Sequence, residues 1–162
     1  MAAGAPHDIR VIAPVEARRI EAGIFNYGSD ITIRDTPFHV MGLERLVEPQ
    51  EADYIGKAAL EELRVTGVDR KLVGVEMPGE ELPFEIPWQL RAFAGGQQVG
   101  EVTDLIWSPR LAKNIGYVWV PIALAGPGNP IEIEAPDGSR WQGTTAAIPF
   151  LDASKKVPLG QG

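Results

Sequence analysis

Residues 88–107 read Trp-Gln-Leu-Arg-Ala-Phe-Ala-Gly-Gly-Gln-Gln-Val-Gly-Glu-Val-Thr-Asp-Leu-Ile-Trp. Trp88 to Ala94 alternates, with Leu90 and Ala92 opposing Arg91 and Phe93, and Gly95-Gly96 supplies a two-residue hairpin turn into Gln97 to Trp107. Upstream, Lys71 to Met77 sets Leu72, Gly74 and Glu76 against Val73, Val75 and Met77, which predicts a half-buried strand. Downstream come Ile115 to Val120, Ile131 to Ala135, an Asp137-Gly138 turn and Arg140 to Ile148. Strands at this spacing with no helical pattern between them predict a small antiparallel barrel or Greek-key sandwich. The 14 prolines and 18 glycines fall mostly at turns, and Lys155 to Gly162 reads as a frayed tail.

Before residue 70 the pattern is mixed, so the predicted class is α+β. Asp8 to Ala13 reads as a short strand ended by Pro14, and a helix follows from Val15 to Ala22. Ala17, Ile20 and Ile24 fall on one helical face, and Gly23 stops the helix. Asn26 and Gly28 punctuate a loop, and Asp30 to Thr36 is a brief extended run. Pro37 to Glu48 predicts a strand kinked at Gly42. Asp53 is placed to cap a helix over about 55–65, with Leu60 and Leu63 as its apolar side and Gly67 as its stop. Val68-Asp69-Arg70 is the one credible linker, which divides the chain into 1–69, 70–150 and a tail at 151–162.

The 162 residues suffice for one ordinary domain or two small ones, and 44% apolar with 23% charged residues is a globular composition. No apolar run approaches the roughly 18 residues of a membrane span. No basic-then-apolar leader opens the chain, and a cytoplasmic location is the expectation. The absence of cysteine excludes disulfide and thiolate chemistry, and His7 and His39 stand far apart without carboxylate company, so no metal site is expected. A net charge of −7 argues against a nucleic-acid surface.

Glu21 is the odd residue of the first helix, lying between Ile20 and Ala22 beside the apolar stripe. A partly buried carboxylate needs donors. Two readings stay open: an ion pair with Arg18 or a neighbouring arginine, or a carboxylate that accepts two parallel N–H bonds from a planar, guanidinium-like ligand edge. Tyr27 reads as a core aromatic or as a ring against a ligand, and Asp30 as turn chemistry. Ser108 has no base in its motif and reads as a turn former. Arg110, on the same Ser-Pro-Arg-Leu loop, offers a guanidinium to a carboxylate, either a ligand's or a surface acid's.

Arg18-Arg-Ile-Glu-Ala-Gly-Ile-Phe-Asn-Tyr-Gly-Ser-Asp30 resembles the signature of the glycine-cleavage T-protein (aminomethyltransferase) superfamily. The likeness continues in register through Pro37, Asp53-Tyr-Ile-Gly-Lys-Ala-Ala-Leu60, Lys71-Leu-Val-Gly-Val75, Ser108-Pro-Arg-Leu111 and Asn114-Ile-Gly-Tyr117. The resemblance implies the C-terminal part of a folate-binding domain followed by a small β-barrel domain. It implies tetrahydrofolate as cofactor and a one-carbon unit moved from a small methyl or aminomethyl donor to folate N5. Glu21 then grips the pterin, while Tyr27, Asp30 and Arg110 belong to the folate site. The family's catalytic aspartate corresponds to nothing in this chain. A fragment, a split gene or a partner chain that supplies the N-terminal half is therefore expected, and the rival reading is a partner-binding half that is inactive alone.

Two departures point toward the family's demethylase branch. Tyr54 stands where glycine-system proteins usually carry phenylalanine, and its hydroxyl either bonds a leaving oxygen or tips a core ring. The stretch Glu48-Pro-Gln-Glu-Ala52 lacks the basic residue that the glycine-system proteins carry there. Asp104 and Leu105 also replace a Ser-Gly that the family often shows.

Overall fold

The structure is a computed structural model that describes residues 6, 15–82, 89–151 and 154. The predicted strand at 8–13, His7, Trp88 and the tail from Lys155 lie outside the described residues.

Six antiparallel strands close into a barrel: β1 (Arg70–Met77), β2 (Leu90–Ala94), β3 (Gln97–Ser108), β4 (Lys113–Pro121), β5 (Pro130–Glu134) and β6 (Arg140–Ala146). Around the barrel they run β1-β4-β3-β2-β5-β6 and back to β1. Val73, Val75, Val102, Val118, Ile131 and Ile133 fill the interior. The expected antiparallel barrel is therefore what forms, and Gly95 and Gly96, both at positive φ, make the β2–β3 turn as the sequence indicates.

Strand β1 departs from its half-buried prediction. Leu72, Val73 and Val75 are all fully buried, so both faces of the strand are covered. The outer cover is the segment before residue 70. Ile20 of α1 (Glu16–Glu21) and Val40 pack with Leu72, Ile115, Tyr117 and Trp119 into a second core on the outside of the barrel. A strand buried on both faces reads as a near-continuous apolar run rather than an alternating one.

Four local predictions are corrected. The kinked strand over Pro37 to Glu48 is instead a pair of 3-10 turns, Pro37–His39 and Glu44–Leu46. Pro37 fits the first turn, and a reciprocal cap locks it, because the Thr36 backbone N–H donates to His39 Nδ1 at 3.1 Å. His39 is thus a capping residue that also meets Trp119 edge-on, not a strand residue. The extended run at Asp30 to Thr36 is a turn, since Asp35 Oδ2 accepts from the Thr32 N–H at 2.8 Å and from its hydroxyl at 2.9 Å. Helix α2 (Lys57–Thr66) begins after Gly56 with no side-chain cap, and Asp53 instead meets Lys57, at 3.8 Å. Ile24 leaves the helical stripe because α1 ends at Glu21 and Gly23, with φ +70°, turns the chain beyond it.

Candidate functional site

Two features of the barrel wall build the site. The first is a β-bulge on β3. Val102 pairs with Val118 and Asp104 with Tyr117, so Thr103 is an extra residue between them. A bulge re-aims side chains. Here Thr103 Oγ1 donates to Asp30 Oδ1 at 2.8 Å, while the adjacent Asp104 carboxylate pairs with Arg19 of α1. The second feature is the β3–β4 hairpin end, where Ser108 pairs across to Lys113 and Ala112 turns the chain at φ +50°.

Glu21, the last residue of α1, is buried to 2% exposure at that hairpin end. Ser108 Oγ donates to its Oε1 at 2.6 Å, and Ser108 Oγ itself accepts from the Leu111 N–H at 3.2 Å. On Oε2 the contact is long: Arg110 Nη1 stands at 3.5 Å, and the Arg110 side chain is 54% exposed. The arginine that meets Glu21 is therefore Arg110 and not Arg18. Ser108, read from sequence as a turn former, is the principal donor to the buried carboxylate. Its place in an isolated Ser-Pro-Arg motif carries no signal for that, because the partner lies 87 residues away.

Asp30 is in a different state. It is 1% exposed, and both its oxygens are engaged within the chain. Oδ2 takes the Arg19 guanidinium at 2.8 Å and the Asn26 N–H at 2.8 Å, Oδ1 takes Thr103, and its carbonyl accepts from Trp119 Nε1 at 3.1 Å. Tyr27 stands on the loop that Asp30 holds, with 72% of its surface exposed. Tyr54 is half-buried just before α2, and no hydrogen bond, ion pair or ring contact joins it to Glu21, Asp30 or Arg110 among the described residues. The structure thus brings Glu21 and Arg110 together, holds Asp30 on Arg19 at the bulge, and leaves Tyr54 apart. A groove of about 550 Å³ near α2, walled by Phe38, Val47, Leu63, Arg64, Lys71 and Ile122, does not include Glu21. Among the described residues no group of three or more His, Cys, Asp or Glu is arranged to hold a metal ion.

Sequence reasoning also missed Arg19. Its guanidinium gathers the Glu16 carboxylate, the Ile24 carbonyl at 2.7 Å, Asp30 and Asp104, and it lies over the Tyr117 ring. Burial alone lowers the Arg19 guanidinium, but the Glu16 hydrogen bond and the Asp30 and Asp104 charges outweigh it and hold the group above its ordinary value. The Asp104 carboxyl is pushed up to about 6, chiefly by burial, with Asp30 and Glu16 adding to the shift and Arg19 opposing it.

Removing the Ser108 hydroxyl tests the inner support of Glu21. Ser108→Ala leaves a buried carboxylate without its short donor, and is expected to cost about 1–3 kcal/mol. Urea unfolding at neutral pH, with an unchanged slope, measures it.

The comparisons with known proteins agree with this architecture. The family model for the glycine cleavage T-protein C-terminal barrel domain matches residues 70–152. The chain is 38% identical over 139 residues to the dimethylsulfoniopropionate demethylase DmdA of Ruegeria pomeroyi, covering 86% of this chain and 37% of that protein. It is 33% identical over 139 residues to an aminomethyltransferase of a Nostoc species, covering 85% of this chain and 36% of the relative. Among solved structures, the glycine cleavage system aminomethyltransferase T of Bartonella henselae superposes with a TM-score of 0.73 at 25% identity, over 85% of this chain and 38% of that one. The chain thus spans little more than a third of the length of these relatives. With the barrel model matched from Arg70 to Asp152, over half of its residues, the chain belongs to the glycine cleavage T-protein family.

Proposed function

We propose that this chain is the C-terminal portion of a tetrahydrofolate-dependent one-carbon transferase, with Glu21 as the group that grips the pterin. The observation that carries the reading is the state of Glu21. Among the described residues it is a buried carboxylate with one short neutral donor on Oε1 and only a 3.5 Å contact on Oε2. Ion pairs built for stability saturate both oxygens, as Asp30 does. A carboxylate with spare acceptor capacity suits the paired N–H donors of an amino-pyrimidinone edge.

When bound, tetrahydrofolate supplies the N5 nitrogen that accepts the one-carbon unit. The chain's own residues hold and orient it. Glu21 fixes the pterin edge, and the exposed Tyr27 offers a ring face to a planar ligand. Arg110 keeps donors free for an anionic group of folate or donor. Asp30 contributes by holding the loop from Asn26 to Asp30 rather than by direct contact, since its oxygens are already engaged. Tyr54 is the candidate to hydrogen-bond a leaving oxygen, in the demethylase form of the reaction. The 38% identity to a demethylase, against 33% to an aminomethyltransferase, supports that form. In this reading residues 1–69 belong with the folate-binding domain and 70–150 form the barrel domain.

A second reading, a partner-binding half that is inactive alone, is favoured by exposed apolar residues on the front segment: Ile24, Tyr27 and Ile33, the last 87% exposed. Exposed apolar surface of this kind is normally covered.

Calorimetry with tetrahydrofolate separates the two. Binding by the chain joined to, or mixed with, the remainder of a family enzyme supports the transferase. Binding by the isolated chain would place the grip wholly within these residues. No binding in either preparation would overturn the folate reading and leave the partner-binding module.

A further inference from the structure

The alignment of α1 on the barrel suggests a role for a residue that touches no ligand. Asp104, Ile106 and Ser108 share the outer face of β3, as their cross-strand partners Tyr117, Ile115 and Lys113 on β4 show. Helix α1 is tied to that face at two places. Arg19 binds Asp104, and Glu21 accepts from Ser108. The two ties stand four residues apart on β3, about 13 Å at strand rise, and only two residues apart on α1. Together with buried Ile20, whose carbonyl accepts from Tyr117 Oη at 3.3 Å, and the Leu151 N–H that donates to the Glu21 carbonyl at 3.0 Å, the two ties set the rotation of a six-residue helix whose last residue is Glu21. A helix this short has little stability of its own, so its orientation is set by such contacts.

We propose that Asp104, acting through Arg19, is a positioning residue that aims the Glu21 carboxylate, so that ligand affinity at Glu21 depends on the charge state of the Asp104 cluster. The inference rests on the folate reading for the identity of the ligand, and not for the mechanical link. Asp104 faces the Arg19 guanidinium, the Asp30 and Glu16 carboxylates and the Tyr117 ring across the strand pair. Three carboxylates around one guanidinium leave an excess of negative charge. Burial of Asp104 is the larger cause and this charge adds to it, so the group that gives way is Asp104, titrating at about 6. Above that pH Asp104 is charged and holds Arg19 against β3. Below it the carboxyl is neutral, and the direct tie of α1 to β3 slackens, leaving Arg19 on Glu16 and, through Asp30, indirectly on Thr103. Asp30 and Thr103 keep their own bond throughout, so the loop that carries Tyr27 stays in place.

The test follows amides by ¹⁵N NMR across pH 5 to 7.5. The Leu111 N–H, bonded to Ser108 at the Glu21 end, reports on the distant tie, and the Asn26 N–H on Asp30 reports on the near one. Both are expected to move with a midpoint near 6 in the wild type, to lose that midpoint in Asp104→Asn, and to keep it in the control Asp53→Asn. Arg19→Lys keeps the charge but not the forked donors, and is expected to uncouple Leu111 while Asn26 still titrates. In the protein joined to the remainder of the enzyme, tetrahydrofolate affinity is expected to fall about fivefold from pH 7.5 to 5, and Asp104→Asn to flatten that profile. A Leu111 amide that ignores pH near 6, or that still titrates in Asp104→Asn, overturns the positioning role. Absence of folate binding at every pH would count against the folate reading alone, and the amide titration would still decide this one.

Discussion

Glu21→Ala is expected to weaken tetrahydrofolate binding by the protein joined to the rest of its enzyme by about a hundredfold or more, while leaving the fold nearly as stable as before. The first half follows from the number and type of bonds lost. Two charge-assisted hydrogen bonds at about 1.5–3 kcal/mol each amount to two or more decades of affinity at 1.4 kcal/mol per decade. The second half follows from burial. A buried carboxylate is costly to desolvate, and removing it together with its charge releases that cost while the Ser108 hydroxyl and the half-exposed Arg110, at 3.5 Å, lose a partner. Glu21→Gln retains the shape and one acceptor, and should fall between the two. Calorimetric Kd values with urea midpoints on the same samples measure both halves. Equal affinity in the alanine variant would remove Glu21 from the site, and a collapsed midpoint would make it a structural residue instead.

Gly116→Ala is expected to be, with Gly100→Ala, among the most damaging single methyl additions in the barrel. A Cβ at Gly116 would lie 1.9 Å from the Asp104 carbonyl oxygen and 2.8 Å from its carbonyl carbon, so strands β3 and β4 cannot keep their spacing. The obstacle is backbone on both sides, and it lies next to the bulge that sets Thr103 and Asp104. Relief therefore requires separating the strands. A loss above about 4 kcal/mol, or failure to fold, is expected. Gly138→Ala is the matched control. Its φ of +84° carries strain, but nothing lies within 4 Å of the added methyl, so about 1 kcal/mol is expected. Urea unfolding of the pair distinguishes steric exclusion inside the barrel from ordinary loss of glycine freedom.

How much of this the sequence discloses depends on how far apart the interacting residues lie. The strands were readable because alternation and turns are local. Gly95-Gly96 and Asp137-Gly138 mark their hairpins without reference to anything distant. The covered outer face of β1 was not readable, since nothing in Lys71 to Met77 says that Ile20 and Val40 will pack on Leu72. Pro37 to Glu48 misled for a related reason: its apolar spacing fits a strand, but the Thr36–His39 cap competes and prevails. At the site, Glu21 and Arg110 were each visible as carboxylate and guanidinium. Their meeting was not visible, nor was the part played by Ser108, because the fold alone joins them. Arg19 was hidden most thoroughly. It sits in a run of charged residues that looks solvated, and four acceptors from three separate stretches converge on it only once the β3 bulge exists.

Barrel closure also leaves two short seams, β2–β5 and β6–β1. Strand β6 pairs with β1 only over Gly74 to Glu76, while β4 pairs with β1 along its whole length. Beyond the reach of β6, Val40 forms a parallel bridge to Leu72, and the Met41 N–H donates to the Leu72 carbonyl at 3.0 Å. Open strand edges recruit other chains. The Val40–Met41 stretch therefore serves as an edge guard: it occupies the exposed margin of β1 with two residues, and so denies that margin to the strand of another molecule and to the edge-to-edge growth from which β aggregates start.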